Sequence, residues 1–150
     1  MRRPIRYLAA SAALLLLFSS AAVPQIRPGD KVPPFKGMTD SGGFAFSSSE
    51  LDNDTVLIAF FSVYSETSDA LFNFLKSTYR RKGAPGAGVE VIAVSIDPNE
   101  KDVRKLLQKK TPDFKVILDT SLKLEGLFRP DDVPCFFLVD DMKVIAYWKG

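Results

Sequence analysis

The chain has 150 residues, of which 46% are hydrophobic and 25% charged, as expected for one globular domain. It contains no histidine, so the commonest general base and metal ligand is missing. Its single cysteine, Cys135, excludes an intrachain disulfide and a zinc site built from several cysteines. We expect no cofactor and no metal.

Residues 1–22 have the order of a secretory signal peptide. Three arginines precede a short apolar run, and the small residues 19–22 follow it. The run is shorter than the roughly 20 residues of a membrane-spanning helix, which favours cleavage over retention as an uncleaved membrane anchor. We therefore predict a periplasmic or secreted protein with no membrane span after cleavage. Cleavage would leave 17 basic and 18 acidic residues, a balance that gives no support for nucleic-acid binding.

Residues 23–43 are predicted to be an extended lead-in, because they hold four prolines and few periodic apolar positions. The turn signal Asp40-Ser41-Gly42-Gly43 ends this segment, and residues 44–46 are predicted to form one strand of a hairpin. We place the globular domain at residues 44–150.

From residue 55 onward, strand and helix patterns alternate. Apolar runs at residues 55–61 and 89–95 predict strands that are buried on both faces of a sheet. Helical spacing of apolar residues follows each run, with Ser65 predicted to cap the first helix. Asp97 is predicted to cap the second helix, with Glu100 as its capping-box partner.

The remaining pattern predicts a strand at residues 115–119, a short helix at 121–128 and a final hairpin of residues 135–140 with 143–148. The order from residue 55 is βαβαβαββ. Parallel strands joined by helices require an α/β fold whose sheet is covered by helices.

Three segments carry a family resemblance: Gly29-Asp30-Lys31-Val32-Pro33-Pro34-Phe35, the strand at residues 55–61 with its helix, and Val133-Pro134 before the strand CFFLVD. Together they resemble the redoxin domains of TlpA/ResA-type periplasmic thiol–disulfide oxidoreductases, over about residues 29–150. The resemblance implies a thioredoxin-like three-layer sandwich, with a central mixed sheet, an N-terminal hairpin and an inserted αβ unit. The usual C-terminal helix is missing, or the chain is a fragment. A missing helix would leave an apolar patch for partners on one face of the sheet.

The resemblance aligns the family's Trp-Cys-x-x-Cys motif with Tyr64-Ser65-Glu66-Thr67-Ser68. Ser65 and Ser68 replace both cysteines, and Leu71 stands where many relatives carry a proton-transferring glutamate. A hydroxyl cannot form or break a disulfide, so dithiol oxidoreductase chemistry is predicted to be lost, as is peroxidase chemistry at position 65. No histidine is present to activate either serine, and helix capping is their expected role.

The resemblance also implies a peptide-binding surface for an exported protein or peptide partner, with the oligomeric state left open. Its predicted residues are Tyr64, Glu66, Thr67, Val133 and Pro134, with a cis bond between the last two.

An alternative function is a monothiol oxidoreductase or thiol-transfer protein that uses Cys135, which would lie beside the former active site. The simpler interpretation is that Cys135 packs in the core as a small apolar residue. A degraded paralogue without activity is a third hypothesis. A metal site among Asp97, Asp119, Asp140 and Asp141 is a weaker interpretation than local hydrogen bonding in turns.

Overall fold

The computed structural model describes residues 25–40, 45–50, 55–83 and 88–150, so the predicted signal peptide lies outside the described residues. A seven-stranded mixed sheet and three α-helices make up the described fold. In chain order these are β1 (Lys36–Thr39), β2 (Ala45–Ser47), β3 (Thr55–Phe61), α1 (Ser68–Thr78), β4 (Val89–Ser95), α2 (Glu100–Lys110), β5 (Lys115–Leu118), α3 (Lys123–Phe128), β6 (Cys135–Asp140) and β7 (Lys143–Lys149).

The sheet has the strand order β2-β1-β5-β4-β3-β6-β7. The three central strands β3, β4 and β5 run parallel, and β1, β2, β6 and β7 pair in antiparallel fashion. The predicted βαβαβαββ order and the mixed α/β sheet are confirmed. Parallel pairing brings the carboxyl ends of β3 and β4 together, with Phe61 opposite Ser95.

The predicted lead-in at residues 23–43 is corrected by the structure, because β1 lies within it and joins the sheet beside β5. Val32 and Phe35 of the same segment are buried in the core. The predicted domain start at residue 44 therefore falls inside the β1–β2 hairpin. Gly37 permits the close approach of β1 to β5, since a Cβ at this position would clash with the side chain of Ile117.

Each face of the sheet has its own apolar core. On one face, α1 and α2 contribute Leu71, Phe72, Leu75, Val103 and Leu107. On the opposite face, α3 and the N-terminal segment pack on the sheet through Leu124, Phe128, Val32 and Phe35. Each core contains four buried phenylalanines, and in the second core the Phe60 and Phe128 rings lie 5.3 Å apart.

The last hairpin turns at Asp141 and Met142, both of which have positive φ, and its two strands agree with the predicted ranges to within one residue. Strand β7 ends at Lys149, and Gly150 closes the sequence. Within the described ranges, no helix is long and apolar enough to span a lipid bilayer.

Candidate functional site

The loop between β3 and α1 carries the residues that align with the redox motif. Helix α1 begins at Ser68, two residues later than a cap at Ser65 predicts, and Thr67 is its N-cap residue without a side-chain cap bond. The predicted capping role of Ser65 is therefore wrong. The Ser65 hydroxyl instead lies 2.8 Å from the Thr67 hydroxyl, within the loop. This local bond competes with capping because short polar side chains readily bond to neighbouring residues.

The Ser68 hydroxyl is buried and is committed to the loop backbone. Its oxygen lies 2.8 Å from the Ser62 carbonyl oxygen and 2.7 Å from that of Ser65. A hydroxyl has one proton to donate, and both acceptors compete for it. Ser68 therefore closes the loop onto the first turn of α1. Leu71, one turn further on, packs in the core on the α1 face.

Asp97 holds this loop against the end of β4 through hydrogen bonds, a role that the sequence did not indicate. Its carboxylate accepts hydrogen bonds from the Ser62 hydroxyl at 2.6 Å, the Val63 N–H at 2.9 Å and the Ser95 hydroxyl at 2.8 Å. Asp97 is only 3% exposed. The juxtaposition follows from parallel pairing, which places the residues after β3 beside the residues after β4.

The prediction that Asp97 caps α2 is wrong, because its carboxylate bonds to the β3–α1 loop instead. Asn99 is the N-cap residue, and its side-chain oxygen accepts a hydrogen bond from the Lys101 N–H at 3.2 Å. The three groups that donate hydrogen bonds to Asp97 lie on β4 and the β3–α1 loop, so its carboxylate is not available to cap α2.

Tyr64 is 68% exposed and bonds to α2. Its hydroxyl donates to the Asp102 carboxylate at 2.7 Å, and the Asn99 amide donates to the same oxygen at 2.7 Å. The hydrogen bond to Asp102 is the main cause that raises the pKa of Tyr64 above its ordinary value. Glu66 and Thr67 are both exposed in the same loop.

The bond between Val133 and Pro134 is cis. Pro134 is buried and Val133 half-buried, and the Pro134 carbonyl accepts a hydrogen bond from the Gly150 N–H at 2.9 Å. The Val133 side chain packs against the core on the α3 face.

An open apolar groove of about 390 Å³ lies between α1 and the ends of β6 and β7. The Phe136 and Trp148 rings stack 5.2 Å apart at 12°, and Phe74 meets Phe136 edge-on at 5.5 Å. The lining residues are Thr67, Ala70, Leu71, Phe74, Pro134, Phe136, Trp148, Lys149 and Gly150.

Of the five predicted binding residues, the groove brings two together, Thr67 and Pro134. Tyr64 lines a different pocket against α2, whereas Glu66 and Val133 line neither. The aromatic residues Phe74, Phe136 and Trp148 complete the groove. The sequence did not indicate this role for Phe136 and Trp148, because aromatic residues at such spacings are more often part of the core.

Cys135 is 0% exposed and lies in the core on the α3 face of the sheet. It pairs with Phe60 of β3, whereas α1 packs on the opposite face. Burial raises the pKa of the Cys135 thiol to about 12, and a hydrogen bond with the Phe60 backbone lowers it by less. A thiol with this pKa is almost wholly protonated at neutral pH, and the protonated form is not the nucleophile. Both findings agree with Cys135 as a core residue.

Three of the four aspartates considered for a metal site, Asp97, Asp119 and Asp140, accept hydrogen bonds from other groups of the protein. The Asp119 carboxylate accepts from the Lys123 and Glu125 N–H groups at 2.9 and 2.8 Å, and Asp140 accepts from the Thr55 hydroxyl at 2.6 Å. Within the described part of the chain, no three acidic or cysteine side chains are grouped as metal ligands.

Comparison with known proteins decides the family. The sequence model of the thioredoxin-like family matches residues 53–144, more than half of the chain. The chain belongs to the thioredoxin-like family. It is 25% identical over 126 residues to the thiol-disulfide oxidoreductase ResA of Bacillus subtilis, covering 83% of this chain and 69% of ResA.

Solved structures of other proteins share the fold. The thioredoxin domain of a thiol-disulfide oxidoreductase from Bacteroides vulgatus is 20% identical, with a TM-score of 0.72 over 84% of this chain and 91% of that one. StoA from Bacillus subtilis is 16% identical, with a TM-score of 0.67 over 79% of this chain and 89% of StoA. The resemblance to TlpA/ResA-type proteins is thus confirmed for a chain that holds one cysteine.

Proposed function

We propose that this chain is an exported thioredoxin-like protein that has lost dithiol oxidoreductase chemistry and binds an exported protein or peptide. One observation carries the proposal: serines occupy both positions of the redox motif, and their hydroxyls bond within the loop. Disulfide exchange needs an attacking thiolate and a resolving thiol, and residues 64–68 supply neither.

The groove between α1 and the β6–β7 hairpin supports a binding function. It is bordered by the loop at Thr67 and by the cis bond at Pro134, and its walls are aromatic. Trp148 is 38% exposed there while stacked on Phe136, which leaves apolar surface for a partner side chain. Exposed tryptophan in a pocket is typical of residues that dominate binding energy in protein interfaces.

The redox part of the proposal is tested by turbidimetric reduction of insulin with dithiothreitol. The wild-type chain should give the rate of dithiothreitol alone, and the Ser65→Cys, Ser68→Cys double variant is the reference for restored thiols. In a deletion strain, the wild-type chain should restore the phenotype without these cysteines. Rescue by the double-cysteine variant alone would contradict the proposal.

The binding part is tested by placing a photocrosslinking amino acid at position 74 in the groove and, as a matched control, at position 123. Lys123 is exposed on α3, on the opposite face of the sheet. We expect one exported protein to crosslink at 74 and not at 123, and Trp148→Ala to weaken its binding about tenfold. Equal crosslinking at both positions would contradict a specific groove.

Export is tested by N-terminal sequencing of the protein recovered from the cell envelope and the medium. The signal-peptide hypothesis predicts a new N-terminus near residue 23, because residues 19–22 are small. An intact N-terminus in the membrane fraction would show an uncleaved anchor instead.

A further inference from the structure

Strand β7 lies at one edge of the sheet, and an extended segment of the same chain covers the start of its outer side. In this segment, residues 29–32, the Gly29 N–H donates to the Val144 carbonyl at 2.7 Å, and the Asp30 carbonyl accepts from the Val144 N–H at 2.9 Å. The segment begins at a turn, closed by a 3.0 Å hydrogen bond from the Asp30 N–H to the Arg27 carbonyl. Among the described residues, no strand pairs with the outer side of β7 beyond Val144.

The pairing of β7 with β6 determines which backbone groups face outward. The Gly150 N–H donates to the Pro134 carbonyl at 2.9 Å. Opposite residues in antiparallel strands alternate between hydrogen-bonded and non-hydrogen-bonded pairs. Trp148 therefore bonds to β6, whereas Tyr147 and Lys149 direct their N–H and C=O groups away from it. These four backbone groups have no backbone partner in the described part of the chain.

An edge strand with unpaired N–H and C=O groups is a template for another extended chain. The opposite edge strand, β2, has only three residues, whereas β7 has seven and carries charge only at its two ends. Lysine on an edge discourages pairing. However, Lys143 lies beside Lys31 in the covered part of the edge, and the Lys149 ammonium group lies 3.4 Å from Asp131 of the loop before β6.

Trp148 supplies an apolar contact beside the same edge. Its side chain lies on the α1 face, where it stacks on Phe136, lines the groove and is 38% exposed. A strand added to β7 would place one residue directly opposite Trp148, with the two Cβ atoms about 4.5–5.5 Å apart on the same face. An apolar side chain at that position would extend the aromatic row of Phe74, Phe136 and Trp148.

We propose that an extended segment of the partner protein adds to the outer side of β7 as an antiparallel strand, with an apolar side chain opposite Trp148. The inference rests on the proposed function as a protein-binding module and specifies how the partner is held. Residues 29–32 already occupy this edge in the antiparallel direction. Two-fold pairing with a second copy about Tyr147 is less favourable, since it would bring Gly150 against Val144, whose backbone is already bonded.

A fluorescein-labelled peptide of alternating threonine and valine tests the proposal by fluorescence anisotropy with the exported protein. With a valine opposite Trp148, the threonine N–H groups face Tyr147 and Lys149, and the valine N–H groups face away. N-methylation of the threonines should therefore weaken binding at least about tenfold, because two hydrogen bonds are lost. The matched control, N-methylation of the valines, should leave binding within about threefold.

Hydrogen exchange followed by NMR tests the same contact on the protein. The amides of Tyr147 and Lys149 should exchange rapidly in the free protein and become protected when the peptide binds, whereas the Trp148 amide is protected throughout. Lys149→Pro removes one outward N–H at a position where an edge strand tolerates proline, and should weaken binding about fivefold. Lys149→Ala keeps this N–H and should weaken binding less.

The inference would be overturned by no binding of the unmethylated peptide, by equal losses for the two methylated peptides, or by unchanged exchange at Tyr147 and Lys149. Protection that rises with protein concentration without peptide would assign the edge to a second copy and also overturn it. Failure here is distinct from failure of the proposed function. If Lys149→Pro leaves crosslinking at position 74 unchanged, strand addition fails and the proposed function stands, whereas the proposed function itself fails if no protein crosslinks specifically at 74.

Discussion

The Asp97 carboxylate accepts a hydrogen bond from the Ser62 hydroxyl at 2.6 Å and thereby ties the end of β4 to the loop that follows β3. The same carboxylate holds the Val63 N–H, so it fixes the backbone immediately before Tyr64 and Ser65. The conformation of the β3–α1 loop thus depends on a residue that is distant in sequence. Two substitutions at this position separate the contribution of its charge from that of its hydrogen bonds.

Replacement of Asp97 by alanine should lower the free energy of unfolding by about 3 kcal/mol, because it leaves buried donors without an acceptor. Asp97→Asn retains one acceptor oxygen and should cost about half as much. Urea denaturation measures both changes, and hydrogen exchange at residues 62–67 should accelerate in Asp97→Ala. Unchanged exchange in this loop would show that Asp97 does not hold it.

The two serines should differ in their contribution to stability. Ser68→Ala removes a buried hydroxyl that bonds to two carbonyl oxygens and should cost about 1 kcal/mol. Ser65→Ala removes a bond to the exposed Thr67 and should cost less than about 0.5 kcal/mol. Thermal unfolding of the two single variants makes the comparison. A larger loss in Ser65→Ala would show that its hydroxyl has a role beyond the loop.

Patterns local in the sequence predicted most of the fold. The apolar runs TVLIAFF and VEVIAVS identified β3 and β4 because both faces of these strands are buried. The prediction of a lead-in at residues 23–43 missed β1, because the prolines that precede this strand indicated irregular structure. The strand has four residues, and its place in the sheet depends on Gly37 and Ile117. Propensity alone cannot reveal so short a strand, because tertiary contacts stabilise it.

The site was less predictable because it is built from residues that meet only in the folded chain. Ser65 and Asp97 have the residue types of helix caps. Ser65 bonds instead to its neighbour Thr67, whereas the competing partner of Asp97, Ser62, is one that only the tertiary structure supplies. The groove unites Phe74 of α1 with Phe136 and Trp148 of the last hairpin. The sheet face on which Cys135 lies follows from its register with Phe60, which sequence spacing does not show.

Tyr64 should ionise at a higher pH than a free tyrosine, because its hydroxyl donates to Asp102 and the protonated form is thereby favoured. The sign follows from linkage: a raised folded-state pKa contributes stability below the ordinary value of 10.0, and this is lost as the pH rises through the folded-state pKa. Absorbance titration at alkaline pH should show a late-ionising component from Tyr64, and Asp102→Ala should lower the pKa of Tyr64 toward its ordinary value. Identical titrations of wild type and Asp102→Ala would contradict this contact.

Two glycines offer a matched test of packing. Gly37→Ala should destabilise the fold by about 1–3 kcal/mol, because the added methyl group overlaps the side chain of Ile117. Gly126 lies in α3 with nothing near its Cβ position, and Gly126→Ala should stabilise by about 0.5–1 kcal/mol. Equilibrium denaturation compares the two. Equal effects of both changes would contradict the close approach of β1 to β5.

We infer that no thiol of this chain is available for redox chemistry. The most direct test is to measure the alkylation of Cys135 by iodoacetamide across pH, with mass spectrometry as the readout. A folded-state pKa of about 12 against an ordinary 9.0 means that the associated stability is present below pH 9 and is lost as the pH rises toward 12. We therefore predict no labelling of the native protein at neutral pH and complete labelling in guanidinium chloride. Rapid native labelling with a midpoint below about 8.5 would show an exposed, activated thiol and contradict the account.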